Sequence, residues 1–388
     1  MRRIALFGAG LFLASAAAAP GGLFDRARYG DVAYYGHYAH EMTSGLWPYR
    51  DFFDEYPVLA QPLFFLIRVL PGPFPTTFKW VMALCGAAAV VLMVAAMRTP
   101  SPRMVAAAVV AGLSPLLAGP VFLNTYDLFP AALTIGAVLA LVCGRERTTY
   151  VLLALAVAAK IFPLVLLPLA LVETWERGGK DALRRVLLWF GATLALVHLP
   201  FAVMGPGGLR FSYWIQLRRG LEVESLGGAV LLVADRLGLY HATLRDEPPG
   251  SKNVVGALPD AIGVISSIVV VAAVLLVIGL FARRRRDVLA ASSAAVIAFV
   301  AFGKVFSPQY TTWFVPLVPA AGVVFGAFIA VVLVLTHVVF DRFHAAGAET
   351  DHYKAALTWW VAGRDVLVVA LYAALVVRLR ASRPTRSR

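Results

Sequence analysis

Between positions 261 and 281 the chain reads AIGVISSIVVVAAVLLVIGLF, a run without a charged side chain that is soon followed by four arginines at 283–286. A helix of this length spans about 30 Å, the thickness of the hydrocarbon core of a bilayer. The apolar runs at 81–97 and 323–335 have the same character. They lack the alternation of polar and apolar residues that a membrane β-barrel needs. The chain is therefore predicted to be an all-α polytopic membrane protein.

The composition of the whole chain agrees with this class. Of the 388 residues, 60% are hydrophobic and 15% are charged, and the mean hydropathy is +0.77. A soluble domain is about 45–50% apolar and about 25% charged. The net charge of +13 does not indicate a nucleic-acid partner, because such a site needs a soluble basic face. Cys85 and Cys143 lie in or beside apolar runs, which favours neither a disulfide framework nor a cysteine metal site.

About twelve transmembrane helices are predicted within a single integral membrane domain over 1–388. They are placed at 4–20, 77–97, 104–122, 128–143, 147–159, 161–172, 184–203, 261–281, 287–303, 310–322, 323–340 and 363–379. The pairs around Lys160 and around Pro319 could each be one long helix instead. The first run also resembles a cleavable signal peptide, because two arginines precede it and small residues end it.

The charges predict the orientation of the bundle, since cytoplasmic loops carry an excess of Lys and Arg. The stretches assigned to the inside hold 19 of the 35 basic residues and 5 of the 22 acidic ones. Both termini are therefore predicted to be cytoplasmic in a bacterial plasma (inner) membrane, with a basic tail at 380–388. The large loops at 21–76 and 204–260 then lie outside. Within the first, the short apolar stretch 58–70 is interpreted as re-entrant or interfacial.

Unusual polar residues gather on that outer side. The loop 21–76 is rich in carboxylates and aromatics, and polar tips occur at 124–127, at Lys160 and at 304–310. Ionisable residues at membrane depth are candidates for a functional site, although any one of them could simply be a solvated helix end. The tyrosines and Trp47 of the loop could stack on sugars, whereas Trp47 and Trp313 individually fit an interfacial aromatic belt better.

The chemistry available at such a site is limited by what the sequence lacks. It contains no HExxH motif, no P-loop and no Gly-rich phosphate fingerprint. Nucleotide sugars are not available outside the cytoplasm, so a transferase there needs a lipid-borne donor. A carboxylate could act as general base on an acceptor hydroxyl, and lysines and arginines could neutralise a departing phosphate.

Seven short motifs, in this order, resemble the membrane-embedded glycosyltransferases of the GT-C fold, and among them glycosyltransferase family 87. That family comprises polyprenyl-phosphate-mannose-dependent α-mannosyltransferases of actinobacterial glycolipid synthesis. The motifs are DVAYY (31–35), GLWPYRD (45–51), EYP (55–57), NTYDLFP (124–130), AKIFP (159–163), RGLEVESL (219–226) and KVFSPQY (304–310). Each is weak alone, but they cover most of the chain and share one predicted side of the membrane.

The resemblance implies an inverting transfer from a polyprenyl-phosphate sugar, with mannose as the default, to a glycolipid or cell-envelope glycan. It implies that Asp31 is the general base, with Asp51, Asp54 and Glu55 as rivals. The residues expected to hold the donor phosphate are Lys160, Arg219 and Lys304. Those expected to bind or position sugars are Tyr34, Tyr35, Tyr56, Asp127, Glu224, Gln309 and Tyr310. Lys160 could instead be a structural partner of Asp127, and Arg219 and Glu224 could belong to a loop salt bridge.

Other classes of function stay open. A divalent cation is possible, although His37 with His40, and His344 with His352, lack further ligands at the right spacing. A multi-span transporter or flippase would fit the predicted helix count, but the two halves show no internal repeat. A non-catalytic partner of an envelope complex is the third possibility, and it would tolerate replacement of Asp31.

Overall fold

The structure, a computed structural model, describes residues 1–25, 30–247, 251–283, 287–345 and 350–381, with only the backbone considered at 344–345 and 350–353. Residues 248–250, the arginines at 284–286 and most of the predicted basic tail at 380–388 lie outside these ranges. The α-helices, numbered α1 to α15 in chain order, are Arg2–Ala18, Val32–Thr43, Ala60–Val69, Phe74–Met97, Pro102–Ala118, Leu128–Val142, Glu146–Ala159, Leu167–Met204, Pro206–Leu217, Leu226–Arg236, Ala257–Arg283, Val288–Ala301, Val318–Ala321, Val323–Ala345 and Thr350–Ala381. Short 3-10 helices occupy Gly119–Val121, Phe162–Leu166 and Pro308–Trp313.

Six helices in the described ranges are long and apolar enough to cross a membrane. They are Phe74–Met97, Pro102–Val121, Phe162–Met204, Ala257–Arg283, Val323–Phe343 and Lys354–Ala381. Helices α6 and α12 are apolar but shorter. The chain is therefore a mostly helical, multi-pass membrane protein, and the count of about twelve crossings stays a prediction.

The helices differ from the predicted spans at two places and decide an alternative at a third. The stretch 310–322 is not a continuous helix: a 3-10 helix ends at Trp313 and α13 has four residues, because Pro316 and Pro319 interrupt the backbone hydrogen bonding. The chain is broken at Lys160, whose backbone is extended, as the separate spans 147–159 and 161–172 predicted, so the alternative of one long helix around Lys160 is wrong. By contrast, 161–172 and 184–203 are joined in α8, which is interrupted only at Gly179, where φ is 60°.

Close helix packing in the core depends on small residues. A Cβ atom at Gly86 of α4 would lie 2.1 Å from the ring of Phe12 in α1. A Cβ at Gly8 would lie 2.9 Å from Val90 and 3.1 Å from Ala108 of α5. Small residues let membrane helices approach closely enough for van der Waals packing to hold them together. Helix α1 is thereby packed between α4 and α5, with Phe12 fully buried.

The two predicted outer loops are folded. The segment 21–76 contains α2 and α3, and the ten residues of α3 are too few to cross a bilayer. The segment 204–260 contains α9, α10 and an antiparallel sheet of β1 (Leu221–Glu222), β2 (Thr243–Glu247) and β3 (Ser251–Val255) in the order β1-β3-β2. In this sheet Leu221 pairs with Val254 and Glu222 with Asn253, which fixes the position of the RGLEVESL motif.

Candidate active site

Asp31 lies at the N-terminal end of α2, beside the tip at 124–127. Its carboxylate accepts a hydrogen bond of 3.2 Å from the hydroxyl of Tyr35, one turn along the helix. The preceding Gly30 has a φ of +58°, and a Cβ there would lie 3.0 Å from the carbonyl oxygen of Asn124, so only glycine allows this close approach. Burial raises the pKa of the Asp31 carboxyl above 3.8, against the opposing effect of the Lys160 ammonium.

Four aromatic rings form a wall behind Asp31. Tyr35 is stacked on Phe64 at a centroid distance of 4.6 Å, and its ring lies 5.2 Å from that of Tyr56 and 5.6 Å from that of Tyr126. The Tyr126 hydroxyl donates to the carbonyl of Ala159 at 3.0 Å. The wall therefore joins α2, α3 and the 124–127 tip to the backbone next to Lys160.

Asp127 and Lys160 form a partly buried ion pair. The Lys160 ammonium lies 2.7 Å from Oδ1 of Asp127, and the same oxygen accepts a hydrogen bond of 2.7 Å from the indole N–H of Trp313. The lysine nitrogen also lies 4.8, 5.5 and 5.4 Å from the ring centroids of Tyr126, Tyr310 and Trp313, within cation–π range. The expected structural partnership of Lys160 with Asp127 is present in this arrangement.

Trp313 does not belong to an interfacial belt, as the sequence had suggested. Its side chain is buried, with 2% exposure, and its ring is stacked on Phe162 at 4.0 Å and on Tyr310 at 4.1 Å. That prediction is wrong because the indole N–H has a buried carboxylate, Asp127, as its acceptor. Trp47 is half-buried and packs on Phe201.

The RGLEVESL and KVFSPQY motifs are joined through Glu222. Its carboxylate accepts hydrogen bonds from the backbone N–H of Phe306 at 2.7 Å and from the Ser307 hydroxyl at 3.1 Å, and Arg219 pairs with it at 3.5 Å. The Glu222 backbone N–H donates to the carbonyl of Lys304 at 2.9 Å. Arg219 is thereby held next to the second motif. Burial raises the pKa of Tyr310, and the charge of the Arg219 guanidinium opposes this rise.

Lys304 is half-buried, and its ammonium donates to the carbonyl of Leu217 at 3.0 Å. Burial and the neighbouring Arg219 both lower the pKa of Lys304. Gln309 is half-buried in the 3-10 helix that carries Tyr310. The KVFSPQY motif therefore places a second cation near Arg219.

Glu224 is paired with a cation other than Arg219. Its carboxylate is paired with Arg364 of α15 at 3.0 Å, and burial raises its pKa to about 8. The loop salt bridge considered for Arg219 and Glu224 therefore consists of two separate pairs, one with Glu222 and one with Arg364.

The rivals of Asp31 differ in their surroundings. Asp51 is exposed, and Arg50 binds it through two hydrogen bonds of 2.9 and 2.7 Å in a turn, which lower its pKa. Glu55 is half-buried, accepts a hydrogen bond of 3.4 Å from Gln216 and has its pKa raised to about 8 by burial. Asp54 is buried and bonded to the Tyr56 N–H at 2.8 Å. Of the three rivals, Glu55 is thus the one influenced by a proposed phosphate-binding cation. The charge of Arg219 partly offsets the rise that burial causes in the pKa of Glu55.

Not every predicted residue joins the cluster. Tyr34 is 60% exposed, and Asp51 belongs to the Arg50 turn. Sequence reasoning passed over Glu222, which stands inside a quoted motif, and Arg364, which stands in a predicted span. Charged residues inside an apolar run are themselves a signal, and that signal could have identified Arg364.

The described residues contain no group of three or more His, Cys, Asp or Glu side chains arranged to hold a metal ion. His37 lies 3.6 Å from Glu41 on an exposed face of α2. The side chains of His344 and His352 lie outside the described part of the chain.

The comparison with known families agrees with this geometry. Residues 53–229 match the model of glycosyltransferase family 87. Just under half of the chain is therefore similar to this family. The match confirms the resemblance inferred from the motifs, and a match to this family indicates a membrane glycosyltransferase. The matched range includes Glu55, Asp127, Lys160 and Arg219, whereas Asp31 and the KVFSPQY motif lie outside it. A search of curated proteins found no match to the chain.

Proposed function

We propose that this membrane glycosyltransferase transfers a sugar, by default mannose, from a polyprenyl-phosphate donor to a glycolipid or cell-envelope glycan. The proposal places the reaction on the extracytoplasmic face of a bacterial plasma membrane, with both termini in the cytoplasm. The excess of basic residues in the predicted inner loops supports this orientation.

The main support for the proposal is that one carboxylate and several cations from distant segments of the chain lie in one cluster. Besides the larger effect of burial, the Lys160 ammonium lowers the pKa of Asp31 and the Asp127 carboxylate raises it. The aromatic wall connects the segments that carry these three residues. Tyr310 lies beside Lys160, whose nitrogen is 5.5 Å from its ring centroid, and the charge of Arg219 lowers the pKa of Tyr310 against the larger effect of burial. A general base next to groups that bind an anion is the arrangement that transfer from a phosphate donor needs.

In the proposed reaction Asp31 accepts the proton of an acceptor hydroxyl while that oxygen forms a bond to the anomeric carbon. The bond between that carbon and the phosphate oxygen breaks, and its electron pair leaves with the polyprenyl phosphate. Attack opposite the leaving group inverts the anomeric configuration. Lys160, Arg219 and Lys304 bind the phosphate and stabilise the charge that develops on it.

The test is a transfer assay with the purified protein, radiolabelled polyprenyl-phosphate mannose, glucose and arabinose, and a membrane lipid extract. Asp31→Asn keeps the size of the side chain and its contact with Tyr35 but removes the base, so transfer should be lost. Asp51→Asn is the matched control from the same loop and should stay active. Transfer by Asp31→Asn at the wild-type rate would show that Asp31 is not the base, and absence of transfer from every donor by the wild type would favour a transporter or an assembly partner.

A further inference from the structure

Arg364, in α15, is fully buried and lies outside both the family match and the seven motifs. Its Nη1 is 3.0 Å from Oε2 of Glu224, its Nη2 donates to the carbonyl oxygen of the same residue, and its Nε is 3.0 Å from Oδ1 of Asp365. Glu224 and Asp365 are buried as well. One guanidinium therefore holds both the side chain and the backbone of the segment that carries Arg219.

The same guanidinium contacts the other cation-bearing segment. It lies 3.9 Å from the ring centroid of Phe306, two residues after Lys304. The backbone N–H of Phe306 donates to Glu222, which pairs with Arg219. Arg364 thus contacts the segments 219–225 and 304–307 at once.

A buried ion pair is weak support for a purely stabilising role, because desolvation of the charges offsets most of their attraction. The two segments are also joined independently of Arg364. The Glu222 N–H donates to the carbonyl of Lys304 at 2.9 Å, and the Glu222 carboxylate accepts a hydrogen bond of 2.7 Å from the N–H of Phe306. The first segment is also held on β3, because the Val223 N–H donates to the carbonyl of Lys252 at 3.0 Å. A substitution that keeps the positive charge of Arg364 but changes the shape of its side chain should therefore alter how the segments are aligned more than whether they fold.

We propose that Arg364 is a positioning residue that fixes Arg219 and Lys304 relative to each other for binding of the donor phosphate. This inference rests on the proposed function. Only an arginine can satisfy the carboxylate and carbonyl of Glu224, the carboxylate of Asp365 and the face of Phe306 together, because its planar guanidinium presents several donors and stacks on rings.

The experiment measures kcat and KM for donor and acceptor in Arg364→Lys. Lysine keeps the charge but cannot make all these contacts, so the donor KM should rise about tenfold, which corresponds to about 1.4 kcal/mol, while the acceptor KM stays unchanged. Arg378→Lys is the matched control. Arg378 lies in the same helix and is paired with Asp287 at 2.6 Å, and its position 14 residues further on is about 21 Å away along the axis. Its donor KM should not change.

Phe306→Leu provides a second test if Arg364→Lys does not fold. It removes the ring under the guanidinium but keeps the backbone N–H that binds Glu222, and it should also raise the donor KM. An unchanged donor KM in a folded variant, or an equal loss of kcat with all substrates, would overturn the positioning role. A wild type that transfers no sugar would instead overturn the proposed function and this inference with it.

Discussion

Replacement of Asp127 by alanine should destabilise the protein strongly, because two buried donors share one of its oxygens. The Asp127 side chain is 1% exposed and that of Lys160 is 16% exposed, so bulk water screens this pair poorly. Removing one partner of a buried pair costs about 3–5 kcal/mol, since the other charge is left uncompensated. The N–H of Trp313 loses its acceptor as well, so the loss should fall in the upper half of that range.

Asp127→Asn keeps an oxygen that can accept both hydrogen bonds, but it also leaves the charge of Lys160 uncompensated. It should therefore destabilise less than Asp127→Ala, in the lower half of the range of about 3–5 kcal/mol. The matched control is Asp181→Ala, which removes a carboxylate that is 84% exposed and 3.9 Å from Arg184. An exposed pair of this kind contributes about 0–1 kcal/mol.

The assay is unfolding by titration with SDS in mixed micelles, followed by tryptophan fluorescence and by circular dichroism. The expected order of stability is wild type and Asp181→Ala, then Asp127→Asn, then Asp127→Ala. If Asp127→Ala unfolds with the same free energy as Asp181→Ala, the pair of Asp127 and Lys160 contributes no more than a surface pair, and the reasoning from burial is refuted.

Three further predictions concern the same cluster. If Asp31 is the base, the acid limb of kcat/KM against pH should lie above 3.8, because burial raises its pKa, and activity should fall as pH drops through that limb. Glu55→Gln should leave the limb unchanged, whereas a limb near pH 8 that this variant abolishes would identify Glu55 as the base. Trp313→Phe should keep the ring stacking but lose the bond to Asp127, lowering the free energy of unfolding by about 1–3 kcal/mol in the SDS assay; a neutral result would contradict the contact. Lys304→Gln should raise the donor KM about tenfold, the effect of losing about 1.4 kcal/mol of binding, and an unchanged KM would exclude Lys304 from phosphate binding.

The membrane class and most residues of the candidate site could be picked out from the sequence because they depend on local signals. Uninterrupted apolar runs predict spanning helices whatever their neighbours are, and polar tips stand out against such runs. This is why Asp127, Lys160 and Tyr310 could be grouped before any contact between them was known. Pro316 and Pro319 were also local signals, because they stand inside the predicted span 310–322 and interrupt it.

The partners of the charged residues could not be predicted in the same way. Glu224 and Arg364 are 140 positions apart in the sequence, and Asp127 and Trp313 are 186 apart. No periodicity or motif relates positions so far apart, since their contact depends on how α15 and the 308–313 segment pack in the folded bundle. The sequence therefore indicated which polar residues are unusual, but not which of them form ion pairs or hydrogen bonds with each other.

The pairing of cations with carboxylates affects how a phosphate could be bound. A polyprenyl phosphosugar carries one negative charge, and the polyprenyl phosphate that leaves approaches two. Lys160 is already paired with Asp127, and Arg219 with Glu222. Lys304 has a carbonyl as its partner, and within the described ranges no carboxylate forms an ion pair with it.

Of these three cations, Lys304 is therefore the one whose charge is least neutralised by the protein. Burial and the neighbouring Arg219 both lower its pKa. A cation of this kind gains the most electrostatic interaction energy when an anion binds, and the gain grows as the anion acquires negative charge. An interaction that strengthens along the reaction lowers the barrier, whereas one that is equally strong throughout only tightens binding. By this argument Lys304 should contribute most to stabilising the leaving phosphate, while Lys160 and Arg219, held by their carboxylates, mainly fix its position.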